Sequence, residues 1–289
     1  LNLPLYHVSG LGVMMRCLLA GAAVVIPEGE ESTQAAMMRY QPTHVSLVPT
    51  QLASLLHETQ GHPFECIKAY LIGGAACSSS IAETARLRGW PVYLTYGMTE
   101  AGSQISTMPP DAPPSKRTCT SGKVLRHREV AISNEGEIMV RGSCVFPGYW
   151  VSGTGLEDAR DRDGWFNTGD RGAFDEDGFL MVRGRKDFML ISGGENIQPE
   201  EIEVIMAELD GIEQVAVVAV DHPRYGQRPV AFARAAEIKA VEWMRVLEKK
   251  LANFKVPDAI YPWPEELETS SGKVDRRWLA ARAAELYRP

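Results

Sequence analysis

Apolar and polar positions fall into three patterns along the 289 residues. In the first hundred, apolar runs with strand character alternate with helical stretches. LGVMMRCLLA (11–20) predicts a helix stopped by Gly21. AAVVIP predicts a short buried strand closed by Pro27, and THVSLVP (43–49) a second strand, with Pro49 and Thr50 opening the helix QLASLLHE. KAYLIGGAA (68–76) predicts a strand running into a glycine turn. SSSIAETARLRG predicts a helix with a Ser cap and a Gly stop, and PVYLTYG a further strand. Strand–helix alternation of this kind builds a parallel α/β layer.

After about residue 105 the pattern changes. TMPPDAPPSKRT is proline-rich loop, followed by HREVAIS, GEIMVRG and GFLMVRGR at hairpin spacing, with NEG and DEDG as turns. These predict a small β subdomain. A boundary falls near 184–195, where GRKD is polar and SGG flexible. Beyond it Pro199 starts a helix with Glu200 and Glu201 in its first turn, which suits the positive end of the helix dipole. IEQVAVVAV (212–220) predicts a strand and VEWMRVLEKKLAN a helix. The expected fold class is therefore α/β and α+β. Residues 1–186 form part of a large N-terminal domain (a parallel α/β layer plus the β subdomain), and 187–289 form a compact α+β C-terminal domain.

Composition narrows the partners. Net charge is −7 with no Lys/Arg block, which argues against nucleic acid. The longest apolar run, CLLAGAAVVI, is about half the ~20 residues of a membrane helix, so no membrane span is expected. Five scattered cysteines (Cys17, Cys66, Cys77, Cys119 and Cys144) form no CxxC pair and fit a reducing compartment, with the cytoplasm as the default. A homo-oligomer stays open.

Several strings carry chemistry. VYLTYGMTE puts a Tyr-Gly turn at the C-terminal end of a strand, where α/β sheets bind ligands. Its Tyr96 can stack on a purine. Thr99 offers a hydroxyl, and Glu100 offers a carboxylate for Mg2+, a hard cation that prefers oxygen ligands near phosphates. WFNTGDRG places Asp170 between two loops, and Gly193 and Gly194 in SGGEN let a narrow ligand pass close to the backbone. Arg16 stands alone in an apolar helix: either it snorkels to the surface, or it is buried and needs an anionic partner such as a carboxylate.

YGMTE, GRKDFMLISGGENIQPEEIE and TSSGKVDR together resemble the acyl-adenylate-forming superfamily of acyl-CoA synthetases, luciferases and peptide-synthetase adenylation domains. The resemblance implies ATP, Mg2+ and CoA as cofactor and cosubstrates, and a small-molecule carboxylic acid as substrate. It implies that Tyr96 and Gly97 pack on adenine, Thr99 contacts phosphate and Glu100 holds the metal. By the same resemblance Gly74, Ala75 and Ala76 line the adenine and acyl pockets, and Asp170 and Arg185 bind ribose. It makes Asp187 the hinge of a swivelling C-terminal domain, places Gly193 and Gly194 along the pantetheine tunnel, and makes Lys273 the adenylation lysine. Leu267 stands where the family usually has Pro. PLYHVSG matches a segment that gates the acyl pocket, so His7 is either the gate or a core histidine.

LPLYHVSG, SLVPTQL, LIGGAA, YGMTEAGSQI and SGGENIQPEEIE resemble one branch, the o-succinylbenzoate–CoA ligases of menaquinone biosynthesis. That branch implies a second, aromatic carboxylate on the substrate, for which Arg16 is the candidate cation, and Ser103 and Gln104 are candidates to hydrogen-bond the substrate keto group or a water. An acyl- or aryl-CoA ligase for another acid is the alternative. The superfamily also has a Ser/Thr/Gly-rich phosphate loop ending in Lys, and no such string occurs in these residues. The expectation is that the loop lies upstream of Leu1, and that the 289 residues alone are a non-catalytic part that forms no acyl-AMP at a useful rate.

Overall fold

The computed structural model describes residues 1–29, 31–265, 267 and 274–288. Its elements in chain order are α1 (Val8–Ala20), α2 (Thr33–Tyr40), β1 (His44–Leu47), α3 (Pro49–Glu58), β2 (Ala69–Ile72), α4 (Ser79–Leu87) and β3 (Val92–Met98). Then come β4 (Ser103–Thr107), β5 (Lys123–Val124), β6 (Arg128–Ile132), β7 (Glu137–Gly142), β8 (Tyr149–Val151), β9 (Gly155–Glu157), β10 (Phe166–Phe174) and β11 (Leu180–Arg185). The remainder is β12 (Leu190–Ser192), β13 (Glu195–Ile197), α5 (Pro199–Met206), β14 (Gln214–His222), β15 (Gly226–Arg234), α6 (Ala240–Lys250), β16 (Ile260–Pro262) and α7 (Arg276–Leu286). The chain divides into two compact units, Leu1–Val182 and Arg183–Pro289, and passes from one to the other within β11.

The first unit holds a five-stranded sheet, β1-β2-β3-β4-β5. β1, β2 and β3 run parallel, as strand–helix alternation predicts, while β4 and β5 return antiparallel. Leu47, Tyr70, Ile72, Val92 and Leu94 bury one core with Leu52 and Leu55 of α3 and Ala82 and Ala85 of α4. Helix starts follow the sequence signals: Pro49 occupies the first turn of α3, and the Ser78 hydroxyl caps α4 by accepting from the Ile81 N–H. Gly21 closes α1 in the left-handed conformation. A second sheet, β11-β10-β7-β6, is the expected β subdomain, with Ile138, Val140, Phe166 and Leu180 in its core.

The second unit is a sheet ordered β13-β12-β15-β14, with β16 alongside β15. Period-two alternation explains its two helical faces. Val217 of β14 and Ala231 and Ala233 of β15 pack with Ile202 and Met206 of α5 and Trp243 and Leu247 of α6. Ala216, Val218, Val220, Val230 and Phe232 point the other way, toward Leu279 and Ala283 of α7.

Four expectations need correction. AAVVIP forms no strand and is not buried; Ile26 is 66% exposed. An apolar run becomes a strand only when a neighbour accepts its backbone hydrogen bonds, and none of the described strands flanks it. Asp170 lies inside β10, not between loops, because β10 pairs with β7 through an irregular register between Asn167 and Arg171. Tyr96–Gly97 is not a turn: β3 continues to Met98 through a bulge, and the chain turns at Thr99–Gly102. SGG is the tight connection of the β12–β13 hairpin, with Gly193 at φ 60° and Gly194 at φ 91°, and so is an ordered turn where a flexible linker was expected.

Candidate active site

The C-terminal ends of β2 and β3 present most of the candidate residues. Gly74 (φ 84°), Ala75 and Ala76 form an exposed turn after β2. Gly73 allows close packing there, since a Cβ would lie 2.4 Å from the Thr95 hydroxyl. On β3, a Cβ at Gly97 would lie 1.9 Å from the Ser103 carbonyl, so only glycine lets β3 and β4 approach at the bulge. Ser103 itself sits at φ 103°, a conformation that is strained for a residue with a side chain.

Tyr96 and Asp170 meet. The phenol donates to Asp170 Oδ2 at 2.6 Å, and Asp170 is 9% exposed. The Thr168 hydroxyl accepts from the Asp170 N–H at 3.1 Å. A carboxylate from the second sheet is thereby fixed beside the tyrosine ring. Thr99 is exposed on the short 3-10 turn that follows β3. Glu100, on the same turn, accepts at Oε1 from the Tyr149 hydroxyl at 3.1 Å.

Arg16 projects from α1 to the first sheet. Its guanidinium donates to Gln104 Oε1 and to the Ser46 hydroxyl, each at 3.2 Å. Gln104 is itself held, since its Nε2 donates to the Thr107 hydroxyl at 3.1 Å. Burial lowers the Arg16 pKa from its ordinary value, and the guanidinium remains charged at any physiological pH. Among the described residues no carboxylate pairs with it, so a half-buried cation has two neutral partners and no counter-ion. A Cβ at Gly12 would lie 3.2 Å from the guanidinium and 3.3 Å from the Ser103 hydroxyl, so glycine lets both pack close to α1. His7 precedes α1 as its cap residue without a capping side-chain bond, and its ring lies 4.7 Å from that of Tyr6.

In the second unit, Arg185 pairs with Asp187 at 3.0 Å, so the residues expected at ribose and at the hinge are bound to each other. Gly193 donates its N–H to the Tyr225 carbonyl at 2.8 Å. Lys273 lies outside the described residues, as do Thr269 and Gly272. Sequence reasoning did not single out Ser46 or Tyr149. Ser46 belongs to the quoted SLVPTQL string but is linked to Arg16 only through space. Tyr149 follows a Pro-Gly turn, a signal for a loop and none for a contact with Glu100.

Residues 1–150 match the AMP-binding enzyme family, and residues 201–273 match the AMP-binding enzyme C-terminal domain. The chain belongs to the AMP-binding enzymes. It is 37% identical over 282 residues to a 2-succinylbenzoate–CoA ligase of Listeria monocytogenes, covering 96% of this chain and 60% of that protein. It is 39% identical over 292 residues to the enzyme of that name from Haemophilus influenzae, covering 98% of this chain and 62% of the relative. The chain thus spans about 60% of the length of these curated relatives. The Bacillus subtilis o-succinylbenzoate CoA synthetase (MenE), solved with the acyl-adenylate intermediate OSB-AMP, superposes with a TM-score of 0.85 at 32% identity, covering 96% of this chain and 60% of that one. The same enzyme in complex with ATP and magnesium ion gives 0.83 at 32% identity, with the same coverage.

Proposed function

We propose that this chain contributes residues to the acyl-adenylate and thioester chemistry of an acid–CoA ligase, and that the acid of that ligase is o-succinylbenzoate. The reaction joins a carboxylate to ATP, giving acyl-AMP and pyrophosphate, and the CoA thiol then displaces AMP. No group on the protein need become acylated. The work is positioning and charge stabilisation.

The observation that carries the choice of acid is Arg16. A half-buried guanidinium supported by Gln104 and Ser46, without a carboxylate partner among the described residues, is a receptor for an anionic group. o-Succinylbenzoate has two carboxylates. One reacts at the adenylate, and the aromatic one needs a cation. Gln104 in this reading orients Arg16, and the Ser103 hydroxyl packs against Gly12 as the guanidinium does. At the nucleotide, Tyr96 offers a ring to adenine while Asp170 accepts from ribose hydroxyls, and the Gly74–Ala76 turn lines the pocket by its backbone. Thr99 contacts phosphate.

The residues suit Mg2+. Glu100 is one carboxylate on an accessible turn, and no cluster of three His, Cys, Asp or Glu occurs among the described residues. One carboxylate plus phosphate oxygens is the usual provision for this cation. When bound, it neutralises phosphate charge. Lys273, by the family resemblance, supplies an ammonium to the α-phosphate. Arg185 is the further ribose contact. Asp187 is the hinge between domains 1–186 and 187–289, and Gly193 and Gly194 flank the path of pantetheine.

The test is affinity for OSB-AMP against a benzoyl analogue that lacks the aromatic carboxylate, measured by calorimetry on the 289-residue chain and Arg16→Ala. The wild type is expected to prefer OSB-AMP. Arg16→Ala is expected to lose about 2–5 kcal/mol on OSB-AMP and little on the analogue, as for a buried charge pair stripped of one partner. Equal binding of both ligands by the wild type would favour a ligase for another acid. Equal loss on both would remove Arg16 from the acid site.

A further inference from the structure

The chain from the end of β7 to the first residue of β8 reaches Glu100 twice. The Phe146 N–H donates to the Glu100 carbonyl at 2.8 Å, and the Tyr149 hydroxyl donates to Glu100 Oε1 at 3.1 Å. The Phe146 ring stands edge-on to Tyr149 at 4.7 Å and edge-on to Phe166 at 5.4 Å. Phe166, only 6% exposed, belongs to the core of the second sheet. The tyrosine is therefore anchored to a buried scaffold through Phe146, although 49% of its own surface is exposed. Gly148, between the two aromatic residues, has φ 154°, and a Cβ there would lie 1.9 Å from the Glu157 carbonyl. That close approach lets the base of the β8–β9 ribbon pair, with Tyr149 opposite Glu157.

A glutamate on a short 3-10 turn has three side-chain torsions to fix before it can present an oxygen in one direction. Here one bond fixes its backbone and another fixes one carboxylate oxygen. Oε2 accepts from no donor among the described residues. A carboxylate with one oxygen tied and the other open is arranged for monodentate binding of a hard cation.

We propose that Tyr149 is a positioning residue for Glu100, holding the carboxylate so that Oε2 meets the divalent cation of a bound nucleotide. This rests on the reading of Glu100 as the metal carboxylate. The phenol touches neither substrate nor metal and acts through Glu100. Its loss therefore weakens the metal and leaves the acid specificity set at Arg16 untouched. The thioester step has no polyphosphate to neutralise, so the tyrosine matters to adenylation and not to CoA transfer.

The experiment measures Mn2+ affinity in the presence of ATP by the paramagnetic resonance of free Mn2+. It uses the 289-residue chain, Tyr149→Phe, Glu100→Gln and the double variant. Phe keeps the ring packing on Phe146 and removes only the hydroxyl. Tyr149→Phe is expected to weaken Mn2+ binding about tenfold, the lower end for loss of a group that orients a metal ligand. It should add nothing in the Glu100→Gln background, because the two act as one unit. Unchanged affinity in Tyr149→Phe, or an equal loss with and without Glu100, overturns the role of Tyr149. Equal Mn2+ binding by the wild type and Glu100→Gln overturns the assignment of Glu100, and the inference falls with it. OSB-AMP binding, which involves no metal–polyphosphate complex, checks that the variants retain the site.

Discussion

At the scale of single residues, the site depends on side chains that are missing as much as on those present. Gly97 is the sharpest case, because its Cβ would overlap the Ser103 carbonyl at 1.9 Å. Gly97→Ala is expected to cost about 1–3 kcal/mol through overpacking, read as a lower melting temperature, with loss of adenylate binding as Tyr96 and Ser103 shift apart. A melting temperature equal to wild type would mean that the bulge opens at no cost. Tyr96 and Asp170 were both legible as candidates from YGMTE and WFNTGDRG. Their 2.6 Å hydrogen bond was not, because the residues are 74 positions apart and belong to different sheets.

At the scale of elements, α5 carries an electrostatic conflict that its sequence conceals. Glu200 and Glu201 look like ordinary first-turn acids favoured by the helix dipole. Glu201 pairs with Lys255 at the surface, whereas Glu200 is turned inward with Oε2 buried and unbonded. Arg276, the first residue of α7, binds Glu203 at 2.6 and 2.7 Å and stands 3.7 Å from Glu200. Burial opposes the charge on Arg276, but Glu203 and Glu200 together outweigh it and raise that pKa. For Glu200 burial dominates over the attraction of Arg276, and its pKa is raised above the ordinary 4.5. A carboxyl raised in the folded state favours folding while protonated. That contribution is present in full below the unfolded pKa and is lost as pH rises through the folded value. Glu200→Gln, which imitates the protonated form, is therefore expected to raise the melting temperature at pH 7 and to change it little near pH 4. Destabilisation at pH 7 would show that the Arg276 contact outweighs burial.

At the scale of the whole molecule, two compact units, each burying core clusters of its own, predict two separable stabilities. The unit Arg183–Pro289 buries both faces of its own sheet, under α5 and α6 on one side and α7 on the other. Calorimetry of the 289-residue chain is expected to show two transitions, and a chain of residues 183–289 is expected to reproduce one of them. A single cooperative transition would contradict independent cores. The sequence by itself determined much of the strand–helix alternation of the first hundred residues, the helix caps at Gly21, Pro49 and Ser78, the hairpin strands of the β subdomain and the strings that mark the enzyme family. These are local: hydrophobic period, turn chemistry and motif spacing are written in neighbouring residues. Only the tertiary structure decided that AAVVIP forms no strand, that Asp170 sits in one, that Arg16 meets Ser46 and Gln104, and that Tyr149 reaches Glu100. Each depends on what another part of the chain places opposite. Backbone pairing, burial and charge partners are properties of that encounter, and sequence spacing does not record them.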